Sequence, residues 1–353
     1  MGIKGLKQFL RSKFPSTLVT SHLSHWWGKK AAIDLLPYLY RYKVSYGEQW
    51  KCGLFIFLSL FLRHNVHATV LMDGPNVYKE KDGERAKRTK NKNKIKEKCA
   101  QLKKDLHEYE QHKTSTPLLM DVSKDKSMHR NILLGTSPSV ETETVRAYID
   151  KMDHQMVSIT PDDIAIVSHM CSLLSIPFYY ASQEAESFAS YLCIHGTVDV
   201  VVTEDTDVLA YGSPHWISSL SHDGSCTEID LSDVIGQMEL TREQFLDFCI
   251  LCGTDYNESL PGVGPVSAYK HVREDMDALL VKHADHTKAL RLDTVRAIFQ
   301  HPCDVALTEF TVAFNVLPLR THVLQLKQEK YPVQWVLTWL DSYQDKFDMD
   351  TDL

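Results

Sequence analysis

The sequence has no hydrophobic stretch long enough to cross a bilayer. Its longest apolar run, Cys52 to Leu62, is closed at once by Arg63 and His64, which suits a buried helix rather than a membrane span. A secretory leader is also missing, because the basic residues near the start (Lys4, Lys7, Arg11) are not followed by an apolar segment. Met1-Gly2 invites myristoylation, but Leu6 stands where that signal needs Ser or Thr. The expectation is neither a membrane protein nor a secreted one. Eight cysteines scattered over 353 residues make no disulfide framework, so an intracellular, reducing setting is expected. Cys249 and Cys252 form one CxxC pair, with no second pair and no spaced histidines after it. They sit in the apolar helical run FLDFCILCG, and buried core thiols are a better reading than zinc or redox chemistry. Solenoid repeats are absent as well.

An overall charge imbalance is slight, since the net charge is −7, but its distribution is not even. Residues 79–104 hold 12 Lys or Arg against 4 Asp or Glu, and the rest of the chain holds 27 against 42. A concentrated basic segment beside an acidic remainder suits a protein that grips a phosphate backbone and neutralises its acids with metal. A block of like charge is otherwise a solvated face.

The order of patterns is α/β. Ala31 to Asp34 and Ala68 to Asp73 are short β-rich runs, each ending in aspartate, with an apolar helix at about Gly53 to Leu62 between them. Val198 to Val202 is a third strand, followed by Thr203-Glu204-Asp205. Helical patterns between these runs predict a mostly parallel sheet, whose strand C-terminal ends are where open α/β folds place their sites. From Lys79 to Asp150 the pattern changes to a lysine-rich stretch and then a polar region with turn signals at Gly135-Thr136-Ser137-Pro138-Ser139. Apolar periodicity there is weak, although Leu102, Leu106 and Tyr109 keep helical spacing. This reads as an insertion of exposed helices and loop. From Thr241 the chain is mainly helical, and 331–353 is a polar, acidic tail with aromatics.

Two aspartates at strand ends gain meaning beside Glu184-Ala185-Glu186 and Asp205-Thr206-Asp207. In an extended or turn segment, side chains at i and i+2 share a side, so each pair aims two carboxylates at one cavity. Asp255 adds a seventh candidate. Like charges cannot converge unpaired without raised pKa values. Oxygen donors without a His or Cys set favour Mg²⁺ or Mn²⁺ over zinc. Two such ions stabilise the attacking and leaving oxygens of a phosphodiester displacement. Taken singly, each acid is as readily a helix cap or surface charge.

The ordered motifs resemble the structure-specific 5′ nucleases, and among them the flap endonucleases. The likeness runs over residues 1 to about 300: Met-Gly-Ile-Lys-Gly-Leu at the start, Ile33-Asp34, Met72-Asp73-Gly74 and Gly83-Glu84-Arg85-Ala86-Lys87-Arg88. It continues through Glu184-Ala185-Glu186, Thr203 to Asp207, Gly212-Ser213-Pro214, Gly253 to Ser259 and Gly262-Val263-Gly264-Pro265. The resemblance implies a 5′ nuclease, PIN-like fold: a nuclease core over 1–300, a basic helical arch within 79–150, a helix–turn–helix over 240–285 and a C-terminal extension over 301–353. It implies metal ligation by Asp34, Asp73, Glu184, Glu186, Asp205, Asp207 and Asp255, with Lys81 and Arg88 reaching the scissile phosphate from the arch. Lys79 is the less fitting substitute for Lys81. Gly262 and Gly264 would grip duplex DNA by close backbone approach, with a K⁺ ion in that loop and Lys270 on the following helix. Tyr40, six residues after Asp34, would stack on an unpaired base, and Gly2 joins the DNA-contacting set.

The departures are specific. Asp73 and Glu184 are 111 residues apart, longer than a cellular flap endonuclease leads one to expect, so the arch is enlarged or rebuilt. Leu35-Leu36-Pro37 replaces the family's acidic-aromatic pattern, and no Gln-x-x-Leu-x-x-Phe-Phe clamp box stands near the C-terminus. The expectation is a Mg²⁺-dependent flap endonuclease with 5′→3′ exonuclease activity, Mn²⁺ substituting, acting as a monomer on branched or flapped DNA, without sliding-clamp recruitment by that box. A gap- or junction-processing nuclease and a catalytically dead DNA-binding scaffold are the alternatives. A nucleus or a viral replication site is the expected location, and Lys87 to Lys98 could double as an import signal.

Overall fold

The computed structural model describes residues 2–76, 78–123 and 140–300, with eight isolated positions between 324 and 338. Seven strands make one sheet: β1 (Val19–His22), β2 (Lys30–Asp34), β3 (His67–Met72), β4 (Phe178–Tyr180), β5 (Val200–Val202), β6 (His215–Ser218) and β7 (Ser225–Asp230). Their order is β1-β7-β6-β5-β2-β3-β4. The run from β6 to β4 is parallel throughout, and only β7 joins its neighbours in antiparallel fashion. The mostly parallel α/β sheet flanked by helices is therefore as the sequence predicts.

The alternation along the strands explains the layering. Ala32, Leu71, Val201 and Trp216 face one core, with the helices Leu6–Lys13, Ala185–Ile194 and Arg242–Cys252. Ala31, Ile33, Val70, Val200, Val202 and Ile217 face the other, with Leu36–Tyr46, Trp50–Arg63 and Pro161–Leu173. Strands covered on both faces need apolar residues at every position, which is why they read as unbroken runs. The helix Trp50–Arg63 is buried nearly all round, so it takes the longest apolar run of the chain. Pro37 falls in the first turn of Leu36–Tyr46, where its missing N–H costs nothing. Cys249 and Cys252 are buried on Arg242–Cys252, and burial pushes both thiols upward.

The contacts divide the chain into two compact units, one of Met1–Lys81 with Ile159–Leu353 and one of Asp82–Ser158. The second holds the helices Asp82–His112, Pro117–Ser123 and Thr142–Gln155. It has its own core of Cys99, Leu102, Leu106, Leu119, Val140, Val145, Ile149 and Met152. The expectation of merely exposed helices is thus corrected for part of this segment. Residues 82–98 of the long helix bury no side chain, but from Cys99 the 3–4 spacing sets up a real apolar stripe. The expected turn at Gly135–Ser139 lies outside the described residues, as do most of the expected C-terminal extension and its tail. The segment 240–285 contains the helices Arg242–Cys252, Pro265–Glu274 and Met276–Lys282. Among the described residues no helix is long and apolar enough to cross a membrane.

Candidate active site

Parallel neighbours bring their C-terminal ends to one edge of a sheet. In the order β5-β2-β3-β4 that edge receives Asp205 and Asp207 after β5, Asp34 at the end of β2, Asp73 after β3, and Glu184 with Glu186 after β4. Topology alone thus gathers acids that are up to 173 residues apart in sequence. Local structure then fixes each of them. Asp34 is buried and its Oδ2 accepts a 2.7 Å hydrogen bond from the Thr203 hydroxyl. The Asp73 Oδ1 accepts from the Ala185 N–H at 3.0 Å, at the start of the helix Ala185–Ile194, where an anion also suits the helix dipole. Glu184 is that helix's N-cap, and Glu186 lies in its first turn. Asp207 begins the helix Asp207–Tyr211 and donates its N–H to Asp205 Oδ1 at 3.0 Å. Both i, i+2 pairs sit at loop-to-helix junctions, within the extended or turn setting that the sequence predicts. Asp255 is half-buried beyond Arg242–Cys252.

The electrostatics are those of crowded acids out of water. Burial raises the pKa of Asp34, Glu186, Asp205 and Asp207, and carboxylate neighbours add to it: Asp73 at Asp34, Glu184 at Glu186, Asp205 at Asp207. Asp207 is 1 % exposed, and neither of its carboxylate oxygens has a hydrogen-bond partner. A buried carboxylate left this way is costly and is the donor that a hard cation satisfies. Among the described residues no three His, Cys, Asp or Glu side chains converge tightly enough to cage an ion as they stand. The charge balance is instead held by Lys81, whose ammonium lies 2.6 Å from Glu184 Oε1 and 3.5 Å from Glu186 Oε1. Burial disfavours that ammonium, yet Glu186, Glu184 and Asp207 outweigh it and hold the Lys81 pKa above the ordinary value. In donor chemistry and in unmet charge the residues fit divalent cations.

Several supporting residues escape sequence reasoning. The Tyr256 hydroxyl donates to Glu184 Oε2 at 2.5 Å and lies 2.6 Å from the Tyr211 hydroxyl. The Lys81 ammonium sits 4.8 Å from the centre of the Tyr256 ring. Tyr256 follows Asp255 directly, and that adjacency is the one signal that could have found it. Thr203 and Glu204 lie within the Thr203 to Asp207 motif, but neither fits the spacing of paired carboxylates.

Arg88, Tyr40, Gly2, Gly262, Gly264 and Lys270 are the remaining candidates. Arg88 belongs to the Asp82–Ser158 unit, where it pairs with Glu84 at 3.4 Å. Tyr40 is 41 % exposed, while Tyr38, Leu39 and Tyr42 are buried in the core. Gly2 has φ +83, and a Cβ there would lie 2.1 Å from Asp205 Oδ1 and 2.8 Å from Asp207 Oδ1, so only glycine lets the N-terminal chain lie against the acids. Gly262 has φ +74 and opens the turn before Pro265–Glu274, with Gly264 as that helix's N-cap. Lys270 is exposed and faces Glu274 at 3.8 Å.

The XPG I-region family matches residues 175–255, the stretch from β4 to Asp255. The RAD2-like endonuclease 076L of Invertebrate iridescent virus 3 is 29% identical over 330 residues, covering 83% of this chain and 86% of that one. The RAD2-like endonuclease 095R of Frog virus 3 (isolate Goorha) is 30% identical over 280 residues, covering 77% and 76%. Among solved structures, flap endonuclease-1 from Methanococcus jannaschii superposes with a TM-score of 0.60 at 18% identity, covering 93% of this chain and 96% of that one.

Proposed function

The chain belongs to the RAD2-like endonucleases, a family of structure-specific 5′ nucleases, and from that premise we propose that it cuts 5′ flaps of branched DNA at its acidic centre. It is a nuclease; the choice of flap, the metal and the residue roles are our reading. The observation that carries it is the row of strand-end carboxylates with the unpartnered Asp207 oxygens among them.

In this reading Asp34, Asp73, Glu184, Glu186, Asp205, Asp207 and Asp255 hold two Mg²⁺ ions, with Mn²⁺ able to substitute. When bound, the ions supply a nucleophilic water at neutral pH and neutralise charge on the scissile phosphate. The protein's own contribution starts with the burial of Asp34, Glu184, Glu186, Asp205 and Asp207, which strengthens the charge interactions among them. Tyr256 holds Glu184 through its hydroxyl. Lys81, beside Glu184 and Glu186, would offset charge on the scissile phosphate. Arg88 adds a second positive group from the basic helix. Gly262, Gly264 and Lys270 hold the duplex, with K⁺ at the 262–265 loop, and Tyr40 stacks on an unpaired base. Gly2 serves by its close approach to Asp205. The division into a 1–300 core, a 79–150 arch and a 301–353 extension, monomeric action, and work in replication, repair or recombination in the nucleus or at a viral replication site complete the proposal.

The test is digestion of 5′-labelled double-flap, nicked and gapped duplexes with Mg²⁺ and with EDTA. Mg²⁺-dependent release of the intact flap, lost in Asp205→Asn with Asp207→Asn while DNA binding persists, is the expected result. Mononucleotides alone, or cutting confined to the gap, would shift the activity to exonuclease or gap processing. Binding without any cut would favour the scaffold alternative, against which all seven filled acidic positions argue.

A further inference from the structure

We propose that Glu204 is a positioning residue for the acidic centre, fixing the segment Thr203 to Asp207 so that Asp205 and Asp207 keep their places. The inference rests on the metal-centre reading above. Glu204 lies between the ligand candidates in sequence but takes no part in their cluster. Its Oε1 accepts from the Ser219 N–H at 3.1 Å and from Arg41 Nη1 at 3.2 Å, and its Oε2 lies 3.9 Å from Lys7 Nζ. These partners come from three elements around β5: the helix Leu6–Lys13, the helix Leu36–Tyr46 and the turn after β6.

Each partner is itself held. Arg41 donates through Nη2 to the Leu220 carbonyl at 3.3 Å and lies over the rings of Tyr38 and Tyr42, at 4.9 and 5.3 Å. Lys7 donates to the Ser219 hydroxyl at 2.9 Å and lies 5.6 Å from the Trp216 ring. The Trp216 indole N–H in turn reaches the Thr203 carbonyl at 2.8 Å. Ser219 adopts φ +54, a left-handed conformation that a non-glycine residue keeps only where its surroundings over-determine it. Here Glu204 and Lys7 grip both its N–H and its hydroxyl. The segment is thus fastened residue by residue. Thr203 is tied to Asp34, Glu204 to this hub and Asp205 to the Asp207 N–H.

Stability alone does not account for the hub. The side chains of Lys7, Arg41 and Glu204 are 23%, 38% and 27% exposed, and ion pairs so open to water contribute little to folding. Their geometric effect is larger, because groups that orient metal ligands typically change metal affinity by about 10–100-fold when removed. The two readouts should therefore separate.

The experiment uses the full chain as wild type, Glu204→Ala, Glu204→Gln and the Asp205→Asn/Asp207→Asn pair. Mn²⁺ binding is read from loss of the free-ion EPR signal, and thermal melting is read in EDTA. Expected is Mn²⁺ binding weakened about 10–100-fold in Glu204→Ala, with melting close to wild type. Glu204→Gln, which keeps an acceptor for Ser219 and Arg41, should recover most of the affinity. Should Glu204→Ala fail to fold, Arg41→Lys gives the answer. It keeps the charge but loses the fork that spans Glu204 and Leu220, and about tenfold weaker binding is expected. Wild-type affinity in Glu204→Ala or Arg41→Lys, with binding lost in the paired variant, overturns the positioning role and leaves the metal centre standing. Equal binding by wild type and the paired variant overturns the metal centre and this proposal with it.

Discussion

Asp207→Asn should stabilise the metal-free protein while destroying its response to Mg²⁺. The wild-type side chain is a buried carboxylate with both oxygens unpartnered and Asp205 beside it. Asparagine keeps the shape, removes the charge and brings an amide donor to a carboxylate-rich setting. An unsatisfied buried acceptor costs about 1–3 kcal/mol, more when charged. At the usual unfolding entropy per residue, a chain of 353 residues shifts its Tm by roughly 1.3 °C for each kcal/mol, so a rise of about 1–4 °C in EDTA is expected. Saturating Mg²⁺ offsets that gain, since ligand at a hundredfold excess over Kd adds about 2.7 kcal/mol to a protein that binds it, and the variant gains little.

The pH dependence gives an independent handle on the same argument. Burial and then the Asp205 charge raise the Asp207 pKa in the folded protein, whereas in the unfolded chain it is about 3.9. A raised folded pKa means that the group's contribution to stability is fully present below the unfolded value and is lost as pH rises through the folded one. The gap in Tm between variant and wild type should accordingly be small near pH 4 and widest at pH 7–8. Scanning fluorimetry in EDTA and in Mg²⁺ across this range suffices. A variant that melts below wild type in EDTA at pH 7.5 would refute the reasoning.

Tyr256→Phe removes the hydroxyl that Glu184 accepts from but keeps the ring beneath Lys81; single-turnover cleavage should slow by about 10–100-fold with DNA affinity unchanged, and an unchanged rate counts against the role given to Tyr256. His64 Nε2 is buried without a partner, and burial followed by the His22 and Arg63 charges lowers its pKa to about 4. A depressed histidine pKa contributes stability that is present above the ordinary value of about 6.5 and is lost as pH falls from there toward about 4. His64→Phe should flatten the melting curve in that window, and a slope equal to wild type would contradict it. Leu102 is fully buried in the core of the Asp82–Ser158 unit, and Leu102→Ala should cost about 2–5 kcal/mol. Hydrogen exchange should then quicken in that unit while the helix Arg242–Cys252 keeps its protection.

How much of this was legible in the sequence depends on the physics behind each residue. Strands β2, β3 and β5 could be read because a parallel strand covered on both faces has no polar position to disguise it. β1 and β7, antiparallel at the far side and partly exposed, carry no such run and went unread. Six of the acidic candidates, Asp34, Asp73, Glu184, Glu186, Asp205 and Asp207, could be read as neighbours because each ends or follows a strand that finishes on one sheet edge. What could not be read is how they are held. Tyr256 reaches back across 72 residues to Glu184, and Arg41 reaches 163 residues forward to Glu204. A hydrogen bond of that span leaves no periodicity, and tyrosine and arginine are ordinary residues at both places. The basic helix shows the opposite limit. Its lysines were obvious, yet the stripe Cys99, Leu102 and Leu106 that anchors its second half was diluted by them, so a folded unit with its own core read as an exposed insertion. Composition reports what a segment presents to water; the few apolar residues at the right spacing decide whether it folds.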